Sequence, residues 1–476
     1  MKRTSVPAMA RQKLVMIGNG MAGFKFCEKF VRYRLFRKFE LTVFGEESQP
    51  AYDRVNLTRY LTHDEENILA PASWYDQQGI RLRTGEKVLR IDREKKCVQT
   101  ATGAVLSYDL LILATGSGVY MPPVEGIGLP GVFPYRTLYD LQVIREHMKS
   151  RRKAIVIGGG LLGLEAAKAM LDAEMETVII EHAGQLMPRQ LDTTAGILLQ
   201  QQVEALGLTV LLNKEITGIF QDGDGLRVVC SDGTSIATDM VICSAGIVPR
   251  DELGATAGLT TGTKGGIVVN DRMLSSDPAI YAIGECAWVH GRIWGLVAPC
   301  YEMAEVLAAR LAGIYKVFRG DLLFTRLKVL GTKLAYIAAM DDGYQEGESI
   351  IEKKQEEGVY KRIRLSADGK RITGAILLGD LSGYASLLQM IRMRSRPPAD
   401  PAMFLDGMGG CDNHIASLPD TTIVCLCASV NKEAIVHAIT AGKLGKIGEV
   451  CQATGAGTGC ETCHAMIEGM INYYTL

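Results

Sequence analysis

One grammar occurs twice in this chain, and the repeat constrains the fold more than any other feature. Residues 13–23, KLVMIGNGMAG, run an apolar strand into Gly18, Gly20 and Gly23. A helical pattern follows through about Arg37, and a second strand, LTVFGEE, ends on Glu46 or Glu47. Residues 153–181 repeat the order: KAIVIGGGLLGLEAA supplies Gly158, Gly160 and Gly163, and TVIIEHA carries Glu181 at its strand end. In such a unit the first glycine permits a tight turn and the second lets backbone approach a pyrophosphate at the helix N-terminus. The third lets helix and strand pack closely. A lone G-x-G-x-x-G is weak, and its bland reading is an ordinary strand–helix turn. Strand, glycines, helix, strand and acid in sequence favour two dinucleotide sites. Glu181 suits a free 2′-hydroxyl and repels a 2′-phosphate, which favours NADH over NADPH.

The other glycine-ended strands show how these units are arranged. YDLLILATGS (108–117) ends on Ala114-Thr115-Gly116, DMVICSAGIVPR (239–250) passes through Gly246, and DPAIYAIGECA (277–287) delivers Gly284 and Glu285. The order predicts half of a first domain, a whole second domain, then the return of the first. From about 321, LKVLGTKLAYIAAM, VYKRIRLS and RITGAILLGD alternate as strands, the last two joined by Asp368-Gly369, and a helix, YASLLQMIRM, follows. This small α+β domain is expected to close over the ligand or to form the interface of a homodimer. Residues 395–420 are rich in Pro, Gly and Asp and read as a linker; Arg392, Arg394 and Arg396 around its start read as a solvated helix end, with a docking patch as the alternative.

Near the end stand Cys425 and Cys427 in VCLC and Cys460 and Cys463 in GCETC, with 32 residues (428–459) between the pairs. Four thiolates so spaced suit a metal, either zinc or an iron–sulfur cluster. The tight Cys-x-Cys opening and the covalent link to two nucleotide units favour the cluster. Gly455, Gly457 and Gly459 leave backbone N–H groups free to approach its sulfurs. Cys451, His464 and Cys411 fall outside the ligand spacing. Cys27, Cys97, Cys230, Cys243, Cys286 and Cys300 read as small buried hydrophobes.

Composition excludes more than it selects. At 476 residues with 47% hydrophobic content the chain holds two to four domains, and a net charge of −1 gives no reason to expect nucleic acid or a charged membrane surface as partner. No apolar run approaches the ~20 residues that span a bilayer. The first dozen residues lack the apolar core of a secretory signal, so a cytoplasmic protein with reduced thiols is expected.

The ordered motifs across residues 13 to about 320 resemble the two-dinucleotide-binding-domain flavoprotein reductases, which bind FAD in the first domain and NAD(P)H in the second. The resemblance implies an FAD domain at 13–125 and 246–320, an NAD domain at 126–245, the small domain at 321–396, a linker at 397–420 and a metal domain at 421–476. It implies that Gly18, Gly20, Gly23 and Glu46 hold the ADP part of FAD, and that Val88 in GEKVLRID meets the adenine through its backbone. Thr115 and Gly116 would flank the flavin nucleotide, and Gly284 and Glu285 the ribityl chain, Glu285 standing where the family usually has Asp. Gly158, Gly160, Gly163, Glu181 and Gly246 would take NADH, and Glu165 would lie near the nicotinamide–flavin stack; its plainer role is to stabilise the start of its own helix.

Many relatives store electrons in a redox cysteine between Cys27 and Cys97, but this chain has none there; AYDRVNLTRYL (51–61) supplies Arg54 and Arg59 instead, which can neutralise a pyrophosphate or an anionic flavin. The tail resembles the bacterioferritin-associated-ferredoxin-like 2Fe–2S domain, which makes Cys425, Cys427, Cys460 and Cys463 the ligands. The whole chain resembles the amino-terminal portion of assimilatory NAD(P)H nitrite reductase large subunits, up to Leu476. That implies an electron-transfer subunit serving a molybdopterin nitrate reductase or a sirohaem nitrite reductase on another polypeptide. A general NADH:rubredoxin or ferredoxin reductase, and a non-catalytic iron-sensing or cluster-carrying module, are the competing expectations.

Overall fold

The structure is a computed structural model that describes residues 10–62, 68–320, 322–327, 333–339, 349–355, 358–405, 418–425, 430–458 and 463–475. The chain divides into two compact units. One comprises residues up to 54, 66–118 and 247–320; the other comprises 55–65, 119–246 and 321 onward.

In the first unit five parallel strands stand in the order Ile280–Ala282, Leu110–Leu113, Gln12–Ile17, Phe39–Phe44, Arg81–Arg83. The central strands are near-continuous apolar runs because both faces are covered: Leu14 to Ile17 and Leu111 to Leu113 are all buried. Ile280 pairs with Leu111, so the strand after residue 277 completes the sheet begun at residue 12, which is the predicted return. Helix Met21–Arg32 packs against helix Val297–Ala312. A buried Lys29–Glu305 ion pair (2.5 Å) joins them, and the Tyr33 hydroxyl also donates to Glu305. The first helix ends at Arg32, not Arg37. Arg34 takes a left-handed conformation (φ 53°) that turns the chain and drops Leu35 into the core before a short 3-10 turn, Leu35–Arg37.

The second unit repeats the parallel design: Thr209–Leu211, Glu176–Ile180, Lys153–Ile157, Met240–Cys243, Val132–Pro134. A three-stranded antiparallel sheet (Ile216–Asp222, Gly225–Cys230, Ser235–Thr238) shares its core through Ile219, Leu226 and Val228. The small domain is a five-stranded antiparallel sheet, ordered Leu322–Leu327, Leu334–Ala339, Ile372–Leu378, Val359–Leu365, Ser349–Gln355. Every residue of its central strand Ile372–Leu378 is buried. Gly369 makes the expected turn at φ 66°. Helix Tyr384–Met393 lies on this sheet, and Phe404 and Leu405, from the stretch read as linker, complete its core. At the C-terminal end a hairpin (Ile423–Cys425 with Val430–Asn431) precedes helices Lys432–Gly442, Ile447–Thr454 and His464–Tyr474. The middle helix was not anticipated, being eight residues between glycines; Glu449 closes its start by accepting from the Gly445 and Lys446 N–H groups (3.2 Å each).

Asp192 joins the NAD-type fold to the small domain. Its Oδ1 caps helix Thr193–Ala205 by accepting from Ala195 N (2.9 Å), while Oδ2 accepts from the Tyr360 hydroxyl (2.8 Å) and Arg362 Nη1 (2.7 Å). Burial opposes its charge, but these donors hold the carboxyl below its usual value. Asp192→Ala, which removes cap and cross-link together, should cost about 2–4 kcal/mol in calorimetric unfolding. Asp192→Asn, which keeps the cap oxygen, should cost about half as much.

Candidate functional site

The two glycine loops have the same stereochemistry. Gly18 sits at φ 112°, where an added Cβ would fall 2.0 Å from Ala114 O, and a Cβ on Gly23 would fall 2.4 Å from Gly18 O. Gly158 sits at φ 110° with Ser244 O at 2.4 Å, and Gly163 would meet Gly158 O at 1.9 Å. The first and third glycines of each loop are therefore required by the protein's own backbone. The middle ones are different: a Cβ on Gly20 or Gly160 meets nothing within 4 Å. Each is the N-cap of its helix, without a side-chain cap or an acid in the first turn, so the first-turn N–H groups are left for a partner other than a capping side chain. Both cradles fit a pyrophosphate.

Around the first cradle the expected residues form a connected set. Both Glu46 oxygens accept from Arg250 Nη2 (2.9 and 2.8 Å), and Lys87 lies 3.5 Å away. Burial works against the Glu46 charge, yet Arg250 and Lys87 bring its pKa below the usual value. The backbone of Arg250 accepts from Thr115 Oγ1 (2.5 Å) and donates to Gly116 O (2.9 Å). Next along, Ser117 Oγ donates to Glu285 (2.7 Å), which follows Gly284 (φ 81°) in a 3-10 turn. Gly116 (φ 71°) has nothing within 4 Å of an added Cβ. Val88 is buried at the start of strand Val88–Asp92. Sequence reasoning missed Arg250: it follows the glycine strand ending of the other unit, and only the fold returns it to Glu46.

At the second cradle Glu181 accepts from Gly159 N (2.6 Å) through one oxygen and from Ala183 N (2.8 Å) through the other, so its carboxylate is fixed at the strand end. Gly246 is at φ 135° and its carbonyl accepts from Tyr120 N (2.9 Å).

The arginine segment divides between the units. Arg54, in the first, is half-buried, pairs with Glu47 and lies over the Tyr52 ring (4.9 Å). Arg59, in the second, is exposed on the short helix Arg59–Thr62, which packs against helices Leu138–Met148 and Leu161–Asp172. The latter carries Glu165, whose carboxyl burial pushes up to about 8. Tyr135, fully buried, donates to Thr58 Oγ1 (3.0 Å); burial raises its pKa, and Glu165 adds to that. Neither Tyr135 nor Thr58 carried a sequence signal, because each has its partner over 70 positions away.

Of the four candidate metal ligands, Cys425 is buried at the end of its strand and Cys463 is buried as the N-cap of helix His464–Tyr474; Cys427 and Cys460, like Cys411, lie outside the described residues. Among the described residues no three His, Cys, Asp or Glu side chains are placed to hold a metal. Two buried thiols at element ends, within a four-thiol set, have the donor chemistry of an iron–sulfur cluster. His464 Nε2 meets Gly457 O (2.9 Å) and lies 3.7 Å from Cys451 Sγ, so this pair braces the glycine loop before Cys460. The other cysteines are buried except Cys97, which is half-buried. No helix among the described residues is long and apolar enough to cross a membrane.

Comparison with known proteins agrees with this construction. Residues 12–305 match the family described as pyridine nucleotide-disulphide oxidoreductase, 324–395 the rubredoxin NAD+ reductase C-terminal domain, and 423–472 the BFD-like [2Fe-2S] binding domain. The nitrite reductase [NAD(P)H] large subunit of Klebsiella oxytoca is 40% identical over 98% of this chain and 49% of its own length. The assimilatory nitrate reductase electron transfer subunit of Bacillus subtilis is 35% identical over 98% of this chain and 60% of its own. The chain thus spans about half to three-fifths of these relatives. Among solved structures, the ferredoxin reductase for the CYP199A2 system from Rhodopseudomonas palustris superposes with a TM-score of 0.73 at 25% identity, over 81% of this chain and 96% of that one.

Two outcomes are expected. Gly20→Ala, at a permissive φ of −83°, should leave the apoprotein's melting temperature nearly unchanged but weaken FAD binding by about tenfold or more, whereas Gly18→Ala should prevent stable folding. Glu165 holds a proton in the folded state between its ordinary value of 4.5 and about 8, a window in which the unfolded chain has released it. Stability should therefore fall as pH rises through that window, and Glu165→Gln should flatten the slope in thermal melts.

Proposed function

The chain belongs to the pyridine nucleotide-disulphide oxidoreductase family, and from that premise we propose that it carries electrons from NADH, through FAD and a 2Fe–2S cluster, to a separate catalytic subunit of assimilatory nitrate or nitrite reduction. It is an NAD(P)H-dependent flavoprotein oxidoreductase with FAD, NADH and a 2Fe–2S cluster as cofactors. The observation that carries the proposal is the pair of open glycine cradles on the same chain as a four-thiol cluster domain.

Bound FAD would supply two-electron hydride chemistry toward NADH and one-electron chemistry toward the cluster. The protein's own residues bind and orient. Gly18, Gly20 and Gly23 with Glu46 hold the adenosine diphosphate of FAD, while Val88 meets its adenine, Thr115 and Gly116 the flavin nucleotide, and Gly284 and Glu285 the ribityl chain. Gly158, Gly160, Gly163 and Gly246 receive NADH, and Glu181 selects its free 2′-hydroxyl. Glu165, kept protonated at neutral pH by its burial, presents an uncharged carboxyl toward the nicotinamide. Arg54 and Arg59 balance anionic charge. Cys425, Cys427, Cys460 and Cys463 hold the cluster. A cytoplasmic location, where thiols stay reduced, suits cluster ligands of this kind.

The match of residues 324–395 to a rubredoxin reductase domain favours a second reading, an NADH:rubredoxin or ferredoxin reductase. Reconstitution decides between them: NADH oxidation should be accelerated by a nitrate or nitrite reductase catalytic subunit and not by rubredoxin. The reverse pattern would establish the second reading. Cys460→Ser should abolish electron delivery to one-electron acceptors while leaving rapid bleaching of the flavin spectrum by NADH, followed by stopped-flow absorbance.

A further inference from the structure

Helix Tyr384–Met393 buries more of itself than its own sheet explains. Tyr384, Leu387, Leu388 and Ile391, spaced for one helical face, pack into the small-domain core. Ser386 and Gln389 point away from that face, yet they are only 6% and 4% exposed. A solitary small domain would leave them in water. The last helix, His464–Tyr474, packs against this helix, a contact that accords with the burial. Among the described residues the Gln389 amide nitrogen is buried without a hydrogen-bond partner, as expected of a polar group caught under a docked element. Beside it, Arg392 Nη1 donates to Ile423 O (2.5 Å), the carbonyl two residues before Cys425. An arginine read from sequence as a solvated helix end thus grips the strand that presents the first cluster cysteine.

We propose that Arg392 is a positioning residue that latches the cluster domain onto the small domain, so that electrons leave from a docked cluster and not from one swinging on the 397–420 connection. Asp192 fastens the small domain in turn to the NAD-type fold, which makes the three parts one carrier. The inference rests on the electron route proposed above.

The test uses the full-length holoprotein as wild type, Arg392→Ala, Gln389→Trp and, as control, the exposed Arg394→Ala. Hydrogen–deuterium exchange reads docking, and stopped-flow separates flavin reduction by NADH from the subsequent cluster reduction. Arg392→Ala should raise exchange in 384–393 and 418–425 and slow cluster reduction by about tenfold or more, with flavin reduction unchanged. Gln389→Trp, which wedges the contact with the arginine in place, should do the same, and Arg394→Ala should do neither. Wild-type exchange in both test variants, or raised exchange with a wild-type rate of cluster reduction, would overturn the latch. A wild-type protein whose cluster never takes electrons from the flavin would overturn the route itself.

Discussion

Everything ligand-facing in this protein depends on backbone touching backbone beneath the two glycine loops. At Gly18 and Gly23, and again at Gly158 and Gly163, helix and strand approach to distances that no β-carbon allows. That approach fixes the helix N-terminus directly over the ends of the parallel strands, where unsatisfied N–H groups and the helix dipole add up to an anion site. The remaining residues of the first unit are then arranged by covalent necessity. Strand ends at Phe44, Leu113 and Ala282 deliver Glu46, Thr115 and Glu285 to the same edge of the sheet, and Arg250 crosses between two of them.

Elsewhere the protein relies on single polar residues to hold folded parts together. Asp192 serves a helix cap and two side chains of another domain with one carboxylate, and Lys29 with Glu305 joins two helices almost 280 residues apart in sequence. Such buried or half-buried pairs add little net stability compared with apolar packing, but removing one partner leaves the other stranded. Their value here is in fixing which surfaces meet.

Much of this was legible in the sequence because the cradles are local. Strand, glycines, helix and acid lie within about thirty residues, and their order survives translation into three dimensions with only a helix end displaced, at Arg34, where the burial of Leu35 outweighs helical continuity. The short helix Ile447–Thr454 was hidden because eight residues between glycines display too little periodicity. Arg250, Tyr135 with Thr58, and Arg392 were hidden for a different reason. Each works through a partner tens to hundreds of positions away, and neither propensity nor spacing encodes such a meeting. The roles of Arg392 and Phe404 were misjudged in a consistent direction: a charged helix end and a Pro-rich stretch look solvated until the surface that covers them is known.

Glu181 carries a consequence for how such a protein could change over evolutionary time. Its carboxylate is tied to the amides of Gly159 and Ala183, one on the glycine loop and one past the strand end. On the role proposed for it, the group that would discriminate between the two nicotinamide dinucleotides is also a structural brace for its own glycine loop. A lineage moving toward the phosphorylated cofactor cannot simply discard the acid; it must first find another acceptor for two backbone amides, so coenzyme preference is guarded by folding as well as by affinity.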